Sequence, residues 1–360
     1  MDKQTIKTLK MFTDVAAPSG FEKNAHVVMK DYVKDYADEM TADNLGSFIS
    51  IKKGNEEGPR IMIAGHLDEI GFMITKIDKN GYLSFQTLGG WWSQVMLAQR
   101  VRVVASTGRE YTGVIGAKPP HSLTPAERKS PADIKNMFID LGLKDKEAVE
   151  KLGIKVGDFA VPYCEFAQMA DEKYLYAKAW DNRVGCYIAA EVVRRLKDQK
   201  HDNVVYGVGT VQEEVGLRGA KTSSFKVQPD IGFALDVGLA ADMPGTSSDT
   251  FKCKLGEGPL ITLFDSSMIG HRDLREFVVS VAEECEIPFQ YAGLRGGGTD
   301  AGAMHVNMSG APSLSIGLAT RYIHSNGGII HYDDIENSVK LLVEVVKRLD
   351  KETVDKITFG

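Results

Sequence analysis

The chain has 360 residues, of which 43% are hydrophobic and 26% charged, with 43 basic against 49 acidic side chains for a formal charge of −6. At roughly 150 residues per domain this length predicts about two globular domains, and the composition excludes disordered and collagen-like classes. The acidic balance lacks the footprint of a phosphate-backbone binder, and no apolar run reaches the roughly 18 residues needed to cross a bilayer, so neither nucleic acid nor a membrane is an expected partner.

The opening MDKQTIKTLKMF carries charges where a signal peptide needs an apolar core, so a cytoplasmic location is expected. Ile6, Leu9, Phe12 and Ala16 follow at helical spacing. Pro18, Ser19 and Gly20 break the pattern before a second helix striped with Ala25, Val28, Met29, Tyr32 and Tyr36. From Arg60, RIMIAGHLDEIG is an apolar run without a polar face, as in a strand buried on both sides. Residues 71–165 change the rhythm: GYLSFQTLGG, QRVRVVAS and REYTGVIGA alternate and are separated by turn signals, which predicts a small β domain. Its polar, proline-bearing stretch 118–136 is too long for an ordinary connection and is either a functional loop or a flexible one.

Beyond this block, the apolar runs NVVYGVGTVQEE, DIGFALDVG and PSLSIGLAT alternate with helices. One helix carries Val184, Ile188, Val192 and Leu196, and another Leu274, Phe277, Val278 and Val281. A last helix begins near Asp333, with Asp333, Asp334 and Glu336 where the helix dipole favours acids and Val339, Leu342, Val346 and Leu349 turned inward. This alternation implies an α/β fold whose sheet is covered by helices on both faces. Because the β-rich block interrupts that pattern, residues 1–70 and 166–360 are expected to form one discontinuous domain and 71–165 an inserted one. Cys164, Cys186, Cys253 and Cys285 are too far apart for a CxxC pair and read as buried free thiols. The 36 glycines, against a usual share of about 7%, gather partly at strand ends, where tight turns would shape a cleft.

Four places in the discontinuous domain put metal-type side chains at or beyond the end of an apolar strand, where open α/β sheets present binding groups. GHLDE supplies His66 and Asp68, two apart and therefore on one side of an extended backbone. AWDNR supplies Asp181 just before a helix starting near Arg183. QEEVG supplies Glu213 and Glu214, and LDVG supplies Asp236 closing a strand, with His324 beyond PSLSIGLAT. Singly these are a helix cap, a charge pair and ordinary histidines. Together, several unpaired acids in one cleft would cost several kcal/mol each unless cations compensate. Mixed nitrogen and oxygen donors suit zinc, with cobalt or manganese as substitutes. Three ligand acids, a hydroxide and two divalent ions sum to zero charge. Adjacent strand residues point oppositely unless the backbone turns, so one of the two glutamates is a ligand and the other is left to handle protons.

In order, APSGFE, DNLGS, GHLDEIGFM, KPPH, AWDNRVGC, VQEEVGLRGA, LDVG, GGGTDAGAMH and RYIHSNGG resemble the glutamyl aminopeptidase family of dinuclear zinc exopeptidases over essentially the whole chain. That family includes tetrahedral aminopeptidases and proteins named endoglucanases. The resemblance implies a mixed, mostly parallel sheet with an inserted β-barrel-like domain. It assigns His66 and Asp236 to one metal, Glu214 and His324 to the other, and Asp181 as the bridge. It makes Glu213 the general base toward a metal-bridging water and Asp68 the partner that orients His66. Peptides are the implied substrates, and a dodecamer built from dimers through the inserted domain is the implied assembly.

The run LRGGGTDAGAMH lacks a P-loop ending, and the resemblance places it beside the metals. Gly297, Thr299 and Asp300 would then contact substrate or brace the site. Arg295 and Arg321 are nearby cations that could receive an acidic N-terminal residue, with structural pairing or solvent exposure as the alternative. Trp91, Trp92 and Met96 are either an interface on an edge-bearing β domain or part of its core. His331 is expected to cap the last helix region. Related metal-dependent carboxypeptidases and deacylases use a similar residue order, but there the extra domain follows the paired glutamates, whereas here it lies between His66 and Asp181. A glycanase would use Glu213 and Asp236 as acid and base, which conflicts with metal binding.

Overall fold

A computed structural model of the chain describes residues 2–246 and 251–358. An eight-stranded sheet runs, in spatial order, Glu39–Ala42, Phe48–Lys53, Val204–Thr210, Arg60–His66, Ile231–Leu239, Ser313–Thr320, Leu260–Thr262 and Gln290–Ala292. The four strands at its centre, from Val204–Thr210 to Ser313–Thr320, are parallel. Antiparallel pairs flank them on both sides, so the sheet is mixed. The apolar run from Arg60 behaves as its composition demands. Ile61 and Ile63 face one buried cluster while Met62 and Ala64 face another on the opposite side of the sheet.

On the first face the helix Trp180–Arg195 crosses the parallel strands, with Lys3–Asp14, Lys23–Val33 and Tyr332–Arg348 packed around it. A Cβ on Gly65 would lie 2.4 Å from the Gly185 backbone, so that helix and the Arg60–His66 strand can only approach this closely through glycine. Helices Arg218–Val227 and Ala301–Met304 cover the other face. The last long helix begins at Tyr332, with His331 as its N-cap accepting from the Asp333 amide at 3.3 Å. Among the described residues no helix is long and apolar enough to cross a membrane. Cys164, Cys186 and Cys253 are buried free thiols, and Cys285 is half-buried.

Six strands between Gly71 and Pro162 close into a barrel in the order Gly71–Ile77, Leu83–Leu88, Phe138–Asp140, Glu110–Gly116, Arg100–Val104 and Phe159–Pro162. Closure gives the β-barrel-like insert that the resemblance implied and leaves no open sheet edge there, so the edge offered as an interface is absent. Of the aromatic candidates, Trp91 stacks on Phe72 at 4.7 Å and Met96 is fully buried in the barrel core, whereas Trp92 stays 59% exposed. The 118–136 stretch is an exposed run of short 3-10 turns, with Glu127 accepting from the Thr124 amide and pairing with Lys118.

Candidate metal centre

The Arg60–His66 strand pairs with Val204–Thr210 along its full length but with Ile231–Leu239 only as far as Ala64 and Ala234. Beyond that register the two strands diverge, and the crevice that opens receives the start of the Trp180–Arg195 helix, where Asp181 and Asn182 depart from helical geometry. Asn182 Nδ2 holds the Leu235 carbonyl at 2.6 Å inside this gap. Asp236 therefore faces a cavity from within a strand that continues to Leu239, not from its end as sequence predicts.

His66 Nδ1 lies 3.0 Å from the Asp68 carbonyl oxygen, so Nδ1 carries the proton donated to it and the Nε2 lone pair of the neutral ring is turned into the crevice. That Nε2 is 3.0 Å from Asp181 Oδ1 and 3.6 Å from Glu213 Oε2. The other Asp181 oxygen is 3.3 Å from His324 Nε2, which is itself 3.5 Å from Glu214 Oε2. Asp181 thus stands between two imidazoles with one oxygen toward each. The paired glutamates both reach the cavity because Gln212 takes φ 55°, turning the backbone after Val204–Thr210 and lifting the alternation rule. The Asp68 carboxylate accepts from Ser19 Oγ at 2.6 Å and from the Glu213 and Glu214 amides at 3.0 and 3.1 Å, while standing 3.6 Å from His66 Nδ1. Its backbone orients the histidine and its side chain pins the glutamate turn.

Burial, then the charge of Asp181, raises the Asp236 carboxyl well above its ordinary range. Burial also raises Glu213, helped by Asp236, Asp300 and Glu214 and opposed by His66, and it moves Glu214 up to about 8 with Asp181 adding to the effect. Burial disfavours charge on Asp181 too, but hydrogen bonds to His324 and His66 outweigh it and hold that carboxyl below the usual range. On His324 burial is outweighed by Asp181 and Glu214, which lift the imidazole to about 9. Four acids and two histidines crowded this way are short of positive charge. Two groups, His66 with Asp181 and Glu214, and His66 with Glu213 and Asp236, place ligand atoms within 4.8 Å of one another. Donors about 2.0–2.2 Å from one tetrahedral zinc sit roughly 3.3 Å apart, close to the 3.0–3.5 Å separations around Asp181 and His324. Glu214 Oε1 is buried with no hydrogen-bond partner. The donor set fits divalent ions.

The family model described as M42 glutamyl aminopeptidase matches residues 46–341. The chain belongs to the M42 glutamyl aminopeptidase family. It is 35% identical to the glutamyl aminopeptidase of Lactococcus lactis subsp. cremoris (strain MG1363) over 97% of this chain and 98% of that one. Among solved structures it superposes on the TET aminopeptidase of the marine sediment archaeon Thaumarchaeota archaeon SCGC AB-539-E09 with a TM-score of 0.96, at 45% identity over 99% and 100% of the two chains. It also matches the Pyrococcus horikoshii TET1 peptidase, which can assemble into a tetrahedron or a large octahedral shell, with a TM-score of 0.85 at 35% identity over 96% and 99%. The chain is a peptide hydrolase of the aminopeptidase type.

In this M42 enzyme the metal-type residues line a cavity of about 1070 Å³. Gly297 and Thr299 line it, and the Thr299 hydroxyl donates to Asp265 at 3.0 Å. Asp300 lies behind the wall, 3% exposed, with Oδ2 accepting from Thr210 Oγ1 at 2.5 Å and Oδ1 buried without a partner, so it braces the strand beside His66 and is not a surface that substrate touches. Arg321 donates to both oxygens of Asp242 at 2.9 and 2.7 Å, and that carboxylate claims the cation that an acidic substrate residue would need. Arg295 is exposed and outside the cavity wall.

Sequence reasoning passed over a second buried cluster. Lys178 Nζ binds both Glu69 oxygens at 2.7 Å, all three charged residues Glu69, Lys178 and Arg183 being 1% exposed. The Arg183 guanidinium donates to Glu69 at 3.3 Å and to the carbonyls of Phe12, Val15, Ala17 and Leu67. It ties the residue after His66 to the helix that carries Asp181. The signal available was a charge within or bordering apolar sequence, with Glu69 before IGFMI, Lys178 inside YLYAKAW and Arg183 before VGCYIAA.

Proposed function

We propose that the protein is a two-metal aminopeptidase in which His66 and Asp236 hold one divalent ion, Glu214 and His324 the other, and Asp181 lies between them. The observation that carries this reading is the placement of one Asp181 oxygen 3.0 Å from His66 Nε2 and the other 3.3 Å from His324 Nε2. Zinc suits these donors, with cobalt or manganese as substitutes. Such ions, when bound, polarise a peptide carbonyl and lower the pKa of water. Glu213, with Oε2 3.6 Å from His66 Nε2, takes the proton of the attacking water and delivers it to the leaving amine nitrogen. Asp68 keeps that carboxylate in place through the Glu213 amide. The same proximity of Glu213 and Asp236 to His66 argues against a glycosidase pair, whose carboxyls must flank a sugar.

We take residues 1–70 and 166–360 as the catalytic domain and 71–165 as an inserted oligomerisation domain. The assembly proposed is a homo-oligomer, a twelve-subunit shell built from dimers, supported by the tetrahedron of the Pyrococcus horikoshii relative. Peptides in the cytoplasm are the proposed substrates. An acidic first residue would depend on Arg295 alone. Hydrolysis of aminoacyl anilides should vanish with EDTA and return with zinc or cobalt, and Glu213→Gln should lower kcat by about 10³-fold while the protein still binds metal. Near-wild-type turnover in that variant would refute the assignment of the base.

A further inference from the structure

Resting on the aminopeptidase reading, we infer that the cavity wall formed by Ala240, Phe251, Cys253, Leu260 and Ala292 receives the side chain of the substrate's N-terminal residue and selects uncharged aliphatic residues over acidic ones. The metal-type residues line the same cavity as this wall, and the segment Gly89–Gly90 lies against Glu214 and His324. A Cβ on Gly90 would lie 3.0 Å from His324 Nδ1, and one on Gly89 would lie 2.9 Å from Glu214 Oε2. Backbone thus takes up the space beside Glu214 and His324, and the first residue's side chain is assigned to the apolar wall that lines the same cavity.

That wall is apolar by construction. Ala240, Cys253, Leu260 and Ala292 belong to one buried hydrophobic cluster, with Phe251 packed against it. Among the described residues that line the cavity there is no lysine or arginine, and residues 247–250 contribute none by sequence. Outside the metal-type set, the only charged side chain among the described lining residues is Asp265, 8% exposed, which already accepts from the Ser267 amide and hydroxyl at 2.7 Å and from Thr299. Arg321 is spent on Asp242, and Arg295, between the lining residues Leu294 and Gly296, is exposed and not part of the lining. A substrate carboxylate led into this space would be desolvated without a cationic partner among the described residues and would share the cavity with Asp265 as a like charge, whereas a branched aliphatic chain would exchange water for the cluster.

The test uses the full-length protein reconstituted with zinc or cobalt and a panel of Leu, Met, Ala, Glu, Asp, Lys and Arg anilides. Leu- or Met-anilide should lead, with kcat/KM for Glu-anilide lower by about 100-fold or more. Phe251→Ala should reduce the Leu-to-Ala preference about tenfold, where a loss of structure alone would lower both rates together. Leu239→Arg, at a cavity-lining position that is 64% exposed and so places no demand on folding, should raise the Glu-to-Leu ratio about tenfold. A Glu, Asp, Lys or Arg optimum in the wild type would overturn this inference and leave the peptidase reading intact. Failure to cleave any anilide with metal restored would overturn both.

Discussion

Two clusters of buried charge lie side by side on the same elements of this enzyme and are built to opposite rules. Glu69, Lys178 and Arg183 form a closed system, in which each carboxylate oxygen meets a cation and the surplus positive charge is spread over four backbone carbonyls. The cluster around Asp181 gathers Glu213, Glu214 and Asp236 against two histidines and leaves Glu214 Oε1 without a partner. The first pattern gives rigidity: removing one member of a satisfied buried network strands the others. The second stores unfavourable electrostatics that a cation can relieve, and it does so on a frame that the first holds still.

The largest effect that separates the two clusters comes from the closed one. Glu69→Gln removes the only acid among the described residues that pairs with Lys178 and Arg183, and should lower stability by about 3–5 kcal/mol with or without metal. Chemical denaturation of the metal-free and zinc-loaded proteins measures this directly. A loss seen only in the loaded form would mean that Glu69 belongs to the metal site. The open cluster should instead respond to ions. Zinc at a thousandfold excess over its Kd should stabilise the fold by about 4 kcal/mol and raise Tm, and glutamine at Glu214 should cut that gain sharply.

The same pair of substitutions should also differ in sign. Burial raises Glu214 to about 8, above its unfolded range, so the metal-free fold is most favoured while this carboxyl is protonated and loses stability as pH rises through 8. The contribution of His324, lifted from 6.5 to about 9, is complete below its unfolded pKa and is lost as pH rises through 9, in the same direction. Metal-free Tm should therefore fall between pH 6 and pH 9. Glu214→Gln should stabilise the metal-free protein at pH 9 by about 1–3 kcal/mol, opposite to Glu69→Gln. A destabilising Glu214→Gln under those conditions would erase the contrast between the clusters.

What the sequence could and could not show follows from the range of the interactions involved. The parallel core was legible because runs such as RIMIAGH and SLSIGLAT are apolar on both faces, and His66, Asp181, Glu214, Asp236 and His324 stand out as polar residues at the borders of such runs. Their convergence depends on strand order, which places His66 beside Thr210 and lets the sheet split after Ala234. The position of Asp236 inside a strand that continues to Leu239 therefore had no local signature. Nor did the pairing of Arg321 with Asp242 across 79 positions, or of Lys178 with Glu69 across 109. Within the barrel, alternation announced strands, but closure, and with it the burial of Met96 and the stacking of Trp91, is a property of six strands taken together.

The smallest predicted effect concerns a residue that touches neither cluster's ions but braces one of them. Glu22, in the APSGFE turn, is 6% exposed and accepts from the Gly20 amide at 2.7 Å and the Gln212 amide at 3.0 Å, so it holds the residue whose left-handed backbone swings both glutamates into the cavity. Burial, and then the charge of Asp68, raises its carboxyl to about 7. The neutral form is the one the fold prefers, so its contribution is complete below its unfolded pKa of 4.5 and is lost as pH rises through 7. An amide oxygen can accept the same two hydrogen bonds without a charge. Glu22→Gln should leave Tm unchanged at pH 5 and raise stability at pH 8.5 by about 1–2 kcal/mol. Equal Tm changes at both pH values would show that Glu22 acts through shape alone, leaving the open cluster with no charged brace on this side.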